Sequence, residues 1–243
     1  MVVADRGPEA SEIPPPPPEG VEPNGKATLT QASLPTATDR VFDAIYSAIL
    51  ERRLPPGTRL REIELAASFA VSRTVVRQAL QRLAQDRLVE LQHNRGAQVV
   101  LPTPELAAQV FDARRVIECE VARRVGGRLL PAQLAALRKL VAQEAQADKR
   151  GDLAAAIRLS GEFHRVLARY ADNPVFLRVV DELLPTTSLL ISMVQTAGCL
   201  ACVAHRHVEL IAALESSGPA AAAEMRRHLL EIERSIAPRS AAS

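Results

Sequence analysis

The chain has 243 residues with a formal net charge of +2, and 47% of the residues are hydrophobic while 3% are aromatic. No apolar run approaches the length of a bilayer-spanning helix, which argues against an integral membrane protein, and three cysteines offer no disulfide framework. We therefore expect a cytoplasmic protein of two domains. The abundance of alanine and leucine predicts a mainly α-helical fold.

The first 35 residues differ in composition from the rest of the chain. They contain five consecutive prolines, Pro14 to Pro18, and five acidic residues against two basic ones. This composition predicts a disordered, proline-rich leader for residues 1–35. Residues 36–101 instead carry ten arginines against seven acidic residues, so a local excess of positive charge lies in this segment.

Residues 36–101 predict a compact series of short elements. Three helices, the first of them ended by the prolines of LPPGTRL, precede two strands that flank a polar turn. The predicted helices cover Asp39–Arg53, Arg61–Ala70 and the segment from Ser72 to Leu83, and the predicted strands are Leu88–Leu91 and Ala97–Leu101, with the turn at His93–Gly96. This order is typical of a winged helix-turn-helix with a β-hairpin wing.

The third predicted helix is strongly basic. Ser72 is a good N-cap, and the apolar residues that follow it recur at helical spacing as one buried stripe, namely Val75, Val76, Ala79, Leu80 and Leu83. Arg73, Arg77 and Arg82 fall on the other faces. Alone, these arginines fit a solvated surface as well as a DNA contact, but the neighbouring elements favour DNA contact.

The motifs LPPGTRL, LAASFAVSRTVVRQALQRL and LVELQHNRGAQV resemble the winged-helix DNA-binding domain of the bacterial GntR family of transcription regulators. In that family the third helix enters the major groove and the wing tip reaches the minor groove. The resemblance implies DNA contacts from Ser72, Arg73, Thr74 and Arg77 at the helix and from His93, Asn94, Arg95 and Gly96 at the wing. Ile63 stands where many members have an arginine, and Arg61 is the candidate to replace it.

The chemistry of the arginines assigns them different roles. Arg77, one turn into the helix, is the candidate for base reading because a guanidinium can bind guanine through two hydrogen bonds. Arg73 and Thr74 lie in the first turn, where phosphate or base edges are in reach, and Arg82 is expected at phosphate or solvent. Because one winged helix makes few base contacts, we expect a homodimer on an inverted-repeat operator of double-stranded DNA.

Residues 104–239 predict an all-α bundle of about six helices, with breaks at VGGRLLP, DKRGD, YADNP, LLP and SSGP. His164, His207 and His228 lie inside the apolar stripes of three different helices. One such histidine is usually a core residue, whereas three that converge would form a metal site. Arg114 also lies in an apolar stripe, and its partner is either Glu118 or the carboxylate of a ligand.

The bundle is similar to the FCD effector-binding domain of the FadR subfamily, through RRVIECEVARR, EFHRVLARYADNPVF, HVELIAAL and AEMRRHLL. Many such domains bind a divalent metal through one aspartate and three histidines, with a small organic acid held by an arginine. The resemblance implies that a Zn²⁺ or Ni²⁺ ion binds His164, His207 and His228 and that Arg114 and Ser160 contact the effector. Ser160 stands in the place of the aspartate and removes one anionic ligand.

Three other interpretations remain to be weighed. The segment CLACVAHRH resembles half of a zinc site, but no second cysteine pair occurs elsewhere. A three-histidine metal could also serve a hydrolase, yet the chain has no HExxH motif, nucleophile elbow or phosphate-binding glycine loop. A constitutive architectural protein would bind DNA without any effector. We predict a transcriptional repressor, not an enzyme, that acts on the bacterial nucleoid and responds to a small carboxylate.

Overall fold

The computed structural model describes residues 35–92, 96–194 and 201–236. These residues form two compact units, one with three helices and three short strands and the other with six helices. The prediction of a mainly helical chain with an N-terminal winged unit is confirmed. The predicted leader lies outside the described residues apart from Pro35.

The first unit is a three-helix core with a small sheet. Its elements are α1 (Ala37–Leu50), β1 (Arg59–Leu60), α2 (Glu62–Ser68), α3 (Arg73–Gln85), β2 (Val89–Gln92) and β3 (Gly96–Val99). The sheet is antiparallel in the order β1-β3-β2, so the predicted hairpin carries a third strand on its outer edge. The sequence does not predict β1 because two residues are too few to show an alternating pattern.

The predicted cap of α3 is present, and four of the five residues of the predicted apolar stripe are buried, whereas Val75 is half-buried. The Ser72 hydroxyl accepts a hydrogen bond from the Val75 amide at 3.3 Å, as an N-cap does. Val76, Ala79, Leu80 and Leu83 are buried, so the arginines of α3 are left on the exposed faces. The apolar face of the helix is therefore packed in the core, and its basic face is exposed to solvent.

Gly96 opens β3 at a point where only glycine fits. Its φ is +89°, and a Cβ atom there would lie 2.1 Å from the Leu60 carbonyl oxygen. Any side chain would force β1 and β3 apart, because a Cβ cannot approach a backbone oxygen so closely. Gly96 thus serves the backbone of the wing, whatever contacts it makes with DNA.

The second unit contains α4 (Pro104–Val125), α5 (Pro131–Lys149), α6 (Leu153–Tyr170), α7 (Pro174–Val194), α8 (Ala201–Ser216) and α9 (Gly218–Ile236). Six helices among the described residues match the predicted number. The predicted break at LLP is wrong, since α7 continues through Pro185. An internal proline costs a helix about 3 kcal/mol, and the packing of the buried Leu184, Leu189 and Leu190 offsets that cost.

The end of α4 and the start of α9 meet through backbone. A Cβ atom on Gly218 would lie 2.2 Å from the Arg123 carbonyl oxygen, and one on Gly126 would lie 2.6 Å from that of Ser217. Glycine at both positions allows this close approach. In the part of the chain that the structure describes, no helix is long and apolar enough to cross a membrane.

Candidate functional site

Three histidines from three helices converge inside the second unit. His164 on α6, His207 on α8 and His228 on α9 are all buried. The Nε2 atom of His164 lies 3.3 Å from Nε2 of His207 and 3.2 Å from Nε2 of His228. The predicted convergence of these three residues is therefore confirmed, and the cluster can hold a metal ion.

Two carboxylates orient two of the imidazole rings. Oε2 of Glu118 lies 2.5 Å from Nδ1 of His164, and Oε2 of Glu144 lies 2.7 Å from Nδ1 of His207. A carboxylate accepts the Nδ1 proton, so Nε2 of each ring keeps its lone pair toward the other histidines. The ring of Phe163 stacks on His207 with centroids 4.3 Å apart and limits its rotation.

The arrangement fits a tetrahedral metal ion. Nitrogen ligands about 2.0–2.1 Å from a tetrahedral Zn²⁺ ion are separated from one another by about 3.3 Å. The two Nε2 separations at His164 have this value. Since Nδ1 of both His164 and His207 faces a carboxylate, their Nε2 lone pairs point at each other, and a cation between them removes the repulsion.

Arg114 lies on α4 with its guanidinium buried. Its Nε donates a hydrogen bond to Oε1 of Glu118 at 2.6 Å. Glu118 is four residues further along the helix and was one of the two predicted partners of Arg114. Among the described residues, Nη2 of Arg114 has no hydrogen-bond partner. A buried guanidinium nitrogen without an acceptor favours binding of an anion, and a carboxylate is the usual partner.

The charges of this cluster perturb the pKa values of two of its members. Burial alone would raise the pKa of Glu118, but the Arg114 guanidinium and His164 outweigh it and lower that pKa to about 2. Burial lowers the pKa of His164 to about 4 against the opposing effect of Glu118. At neutral pH the carboxylate is charged and the imidazole neutral, which is the state that metal coordination requires.

Ser160 lies one helical turn before His164 and is buried. It is on the side of α6 that faces the cluster, because residues four apart share a helix face. Glu144 is the member of the cluster that the sequence analysis missed. Its position on α5 follows no motif, and only the packing of α5 against α8 brings it to His207.

A second set of charged residues lies on the first unit. Glu62 on α2 accepts two hydrogen bonds from Arg77, both at 2.9 Å, and one from Arg73 at 3.3 Å. Both arginines are more than half exposed, whereas Glu62 is 14% exposed. Glu62 was not among the predicted DNA-binding residues, and its contacts hold two of them at the N-terminal end of α3.

The other predicted DNA-binding residues surround this arginine pair. Thr74 is exposed in the first turn of α3, and Arg61 is exposed and pairs with Glu64 at 2.9 Å. The neighbouring Ile63 is 66% exposed. His93, Asn94 and Arg95 lie outside the described residues.

Arg82 and Cys119 both contact other parts of the protein. Arg82 does not point freely into solvent, because it pairs with Asp39 at 2.5 Å and lies over the Phe42 ring at 4.5 Å. Cys119 is half-buried, and burial raises the pKa of its thiol. The side chains of Cys199, Cys202 and His205, which suggested half of a zinc site, lie outside the described residues.

A winged helix-turn-helix unit followed by a helical unit with a buried three-histidine cluster is typical of a DNA-binding transcription regulator. Comparison with protein families agrees: residues 37–99 match the family of bacterial regulatory proteins of the gntR type, and residues 109–231, half of the chain, match the FCD domain. The chain belongs to the GntR family, in its FadR-type subfamily with an FCD domain. This family consists of transcription regulators, which confirms that the chain is not an enzyme.

Curated relatives and solved structures support this assignment. The transcriptional repressor RspR of Escherichia coli is 27% identical over 81% of this chain and 87% of its own length. The gluconate operon repressor of Bacillus licheniformis is 28% identical over 63% of this chain and 64% of its own length. A GntR regulator structure from Rhodococcus sp. RHA1 covers 84% of this chain and 98% of its own, with 25% identity and a TM-score of 0.71.

Proposed function

We propose that the protein is a homodimeric transcriptional repressor whose operator binding is controlled by a small carboxylate, bound beside a divalent metal in the FCD domain. The observation that carries the proposal is the convergence of three buried imidazole nitrogens, linked through Glu118 to a guanidinium with an unused donor. Repression is supported by the two relatives that are named as repressors.

The charges of the cluster favour a divalent cation. With neutral histidines, Arg114 supplies one positive charge and the carboxylates of Glu118 and Glu144 supply two negative ones. A buried net negative charge is costly unless a cation neutralises it. The three histidines would hold the ion, which Zn²⁺ or Ni²⁺ fits because imidazole nitrogen is a preferred ligand of both.

The same charges favour a carboxylate as the second ligand. With a divalent ion in place the cluster carries a net positive charge, and a monoanionic effector balances it. When bound to the three histidines, a metal ion would supply positive charge and could bind a carboxylate directly, and the neutral Ser160 on the same face of α6 as His164 would not compete for it. Arg114 would clamp the effector through its unused Nη2 donor. An effector that binds one arrangement of the helices more tightly than another increases the population of that arrangement. Operator binding changes as a result.

The first test is metal content. Protein purified without a histidine tag and analysed for metals is expected to hold about one Zn²⁺ or Ni²⁺ ion per chain. Its unfolding temperature should fall when a chelator removes the ion, because a ligand bound only by the folded state stabilises that state. His207→Ala should hold no ion and melt independently of chelator. A wild-type protein without metal and without a chelator response would contradict the proposal.

The second test concerns the effector. Acetate, succinate and citrate are titrated into metal-loaded protein by calorimetry, and at least one is expected to bind and to change operator affinity. Arg114→Lys keeps the charge beside Glu118 but loses the planar fork, so carboxylate affinity should fall by about tenfold. Arg138→Lys, a change at an exposed ion pair with Glu215, is the control. Equal affinity in Arg114→Lys and wild type would exclude Arg114 from the effector site.

A further inference from the structure

Glu144 is a buried carboxylate that no sequence motif predicts. It lies on α5, is 2% exposed, and its carboxylate approaches one group of the site, Nδ1 of His207 on α8. A charge at such a position is costly, and it is retained only where a partner or a ligand compensates it. His207 satisfies the hydrogen bond of this carboxylate, but an imidazole that ligates a metal through Nε2 carries no charge to balance it.

Glu144 and Glu118 make the same kind of contact with two different histidines of the cluster. Each carboxylate accepts a hydrogen bond from Nδ1 of one histidine. The Nε2 atom of that histidine therefore keeps its lone pair, which faces the cluster. Glu118 shares its charge with Arg114 through a hydrogen bond of 2.6 Å. Among the described residues, no arginine or lysine forms an ion pair with Glu144, so no cationic side chain compensates its negative charge.

The negative charge of Glu144 adds to a cluster in which Ser160 supplies none. Ser160, one turn before His164 on the same face of α6, offers a neutral hydroxyl and no negative charge. A carboxylate that accepts from a ligating histidine raises the basicity of that histidine and passes negative charge to the ion. The same electrostatic stabilisation therefore reaches the cluster by a different route, through His207 instead of through a direct oxygen ligand.

We infer that Glu144 is a positioning residue of the metal site, which fixes His207 and supplies the negative charge that Ser160 does not. The inference rests on the proposed metal function. A purely structural Glu144 would be needed to satisfy the buried His207, and its neutral amide analogue would then serve equally well. The charge distinguishes the two roles.

The experiment measures Zn²⁺ affinity of metal-free protein by competition with a chromophoric chelator. Glu144→Gln keeps an acceptor for His207 Nδ1 and removes the charge, so the Zn²⁺ dissociation constant should rise by about 10- to 100-fold. Glu144→Asp keeps the charge and should stay well above Glu144→Gln in affinity. Glu215→Gln, at an exposed ion pair on the same helix as His207, is the matched control and should bind as the wild type does.

A relocated charge provides the sharper readout. Ser160→Asp should raise the Zn²⁺ affinity by a larger factor in the Glu144→Gln background than in the wild type, because only the first lacks the buried charge; a packing defect would give the same factor in both backgrounds. Equal Zn²⁺ affinity of wild type and Glu144→Gln would overturn the inference, and so would losses of the same size in Glu144→Gln and Glu144→Asp. If Glu144→Gln does not fold, Glu144→Asp alone decides the matter: a dissociation constant raised by about 10-fold or more, although the charge is kept, would overturn the inference. Absence of Zn²⁺ binding by the wild type would instead overturn the proposed function itself.

Discussion

At the scale of single residues, Arg73 and Arg77, two of the arginines that are proposed to contact DNA, share Glu62 as an ion-pair partner in the absence of DNA. Glu62 binds Arg77 through two hydrogen bonds, and these lower the pKa of the Glu62 carboxyl against the effect of its burial. Part of the entropy that an exposed arginine loses on binding is therefore lost during folding. The carboxylate also leaves part of each guanidinium available to a base edge.

Replacement of Arg77 by alanine is expected to weaken operator binding more than binding to random DNA. If Arg77 reads guanine, the preference for operator should fall by about 1–3 kcal/mol, the value of a bidentate base contact. Glu62→Gln should lower the same preference while it strengthens random binding, because a negative charge near the phosphates is removed. Fluorescence anisotropy with both DNAs at one salt concentration measures this. An equal loss on both DNAs would assign Arg77 to phosphate.

Residues whose role depends on their own helix could be predicted from the sequence, and those that act across helices could not. His164, His207 and His228 each break an apolar stripe, so local spacing alone marks them. Glu118 is four residues from Arg114 and was one of two predicted partners. Glu144 shows no such signal, because its partner is 63 residues away and only the packing of α5 and α8 joins them.

At the scale of elements, the first helix is held at its start by a reciprocal cap. The Thr36 amide donates to Asp39 Oδ2 at 2.9 Å, and the Asp39 amide donates to the Thr36 hydroxyl at 3.1 Å. Asp39 also accepts from Arg82 of α3 at 2.5 Å. One carboxylate thus caps α1 and ties it to α3, the helix that is proposed to read DNA.

This carboxylate predicts an acid dependence of the DNA-binding unit. The hydrogen bonds from Thr36 and Arg82 lower the pKa of Asp39 from 3.8 to about 2 in the folded protein. A lowered folded pKa stabilises the fold above the unfolded pKa, and that contribution is lost as the pH falls from about 4 to about 2. Carbon-detected NMR titration of Asp39 should give a midpoint near 2.

The control for this prediction is Asp39→Asn. Its unfolding temperature should lie below that of the wild type at pH 5, and the difference should shrink as the pH approaches 2. A difference that is independent of pH, or an Asp39 midpoint near 3.8, would show that the carboxylate gains nothing from its partners.

Helices whose apolar residues recur at helical spacing could be predicted from the sequence. Strand β1 and the continuation of α7 through Pro185 could not, because they depend on contacts with other parts of the chain. The bounds of α3 and its cap follow from local residues such as Ser72. Strand β1 has only Arg59 and Leu60, and it exists because β3 offers an edge to pair with. Pro185 looks like a helix break in the sequence, but buried leucines on α7 outweigh the lost hydrogen bond.

At the scale of the whole molecule, the proposed homodimer predicts how the operator is built. A two-fold symmetric protein presents two α3 helices to two half-sites, so the preferred DNA should be an inverted repeat. Sedimentation is expected to show a dimer at micromolar concentration with and without DNA. Destroying one half-site of an operator selected from random sequences should remove most of the specific affinity. A monomer in sedimentation, or equal affinity for a single half-site, would contradict this assembly.

The glycine contact between α4 and α9 brings the two backbones together at Gly126, and it is the point of closest approach that a tilt of α4 would leave in place. Measured along α4 from there, Arg114 is about 18 Å away and Pro104 about 33 Å away, at 1.5 Å per residue. If α4 tilts as a rigid rod, a sideways shift at Arg114 is multiplied about 1.8-fold at Pro104. A ligand that draws Arg114 by about half an ångström would thus move the start of α4, where the chain arrives from the winged unit, by about one ångström.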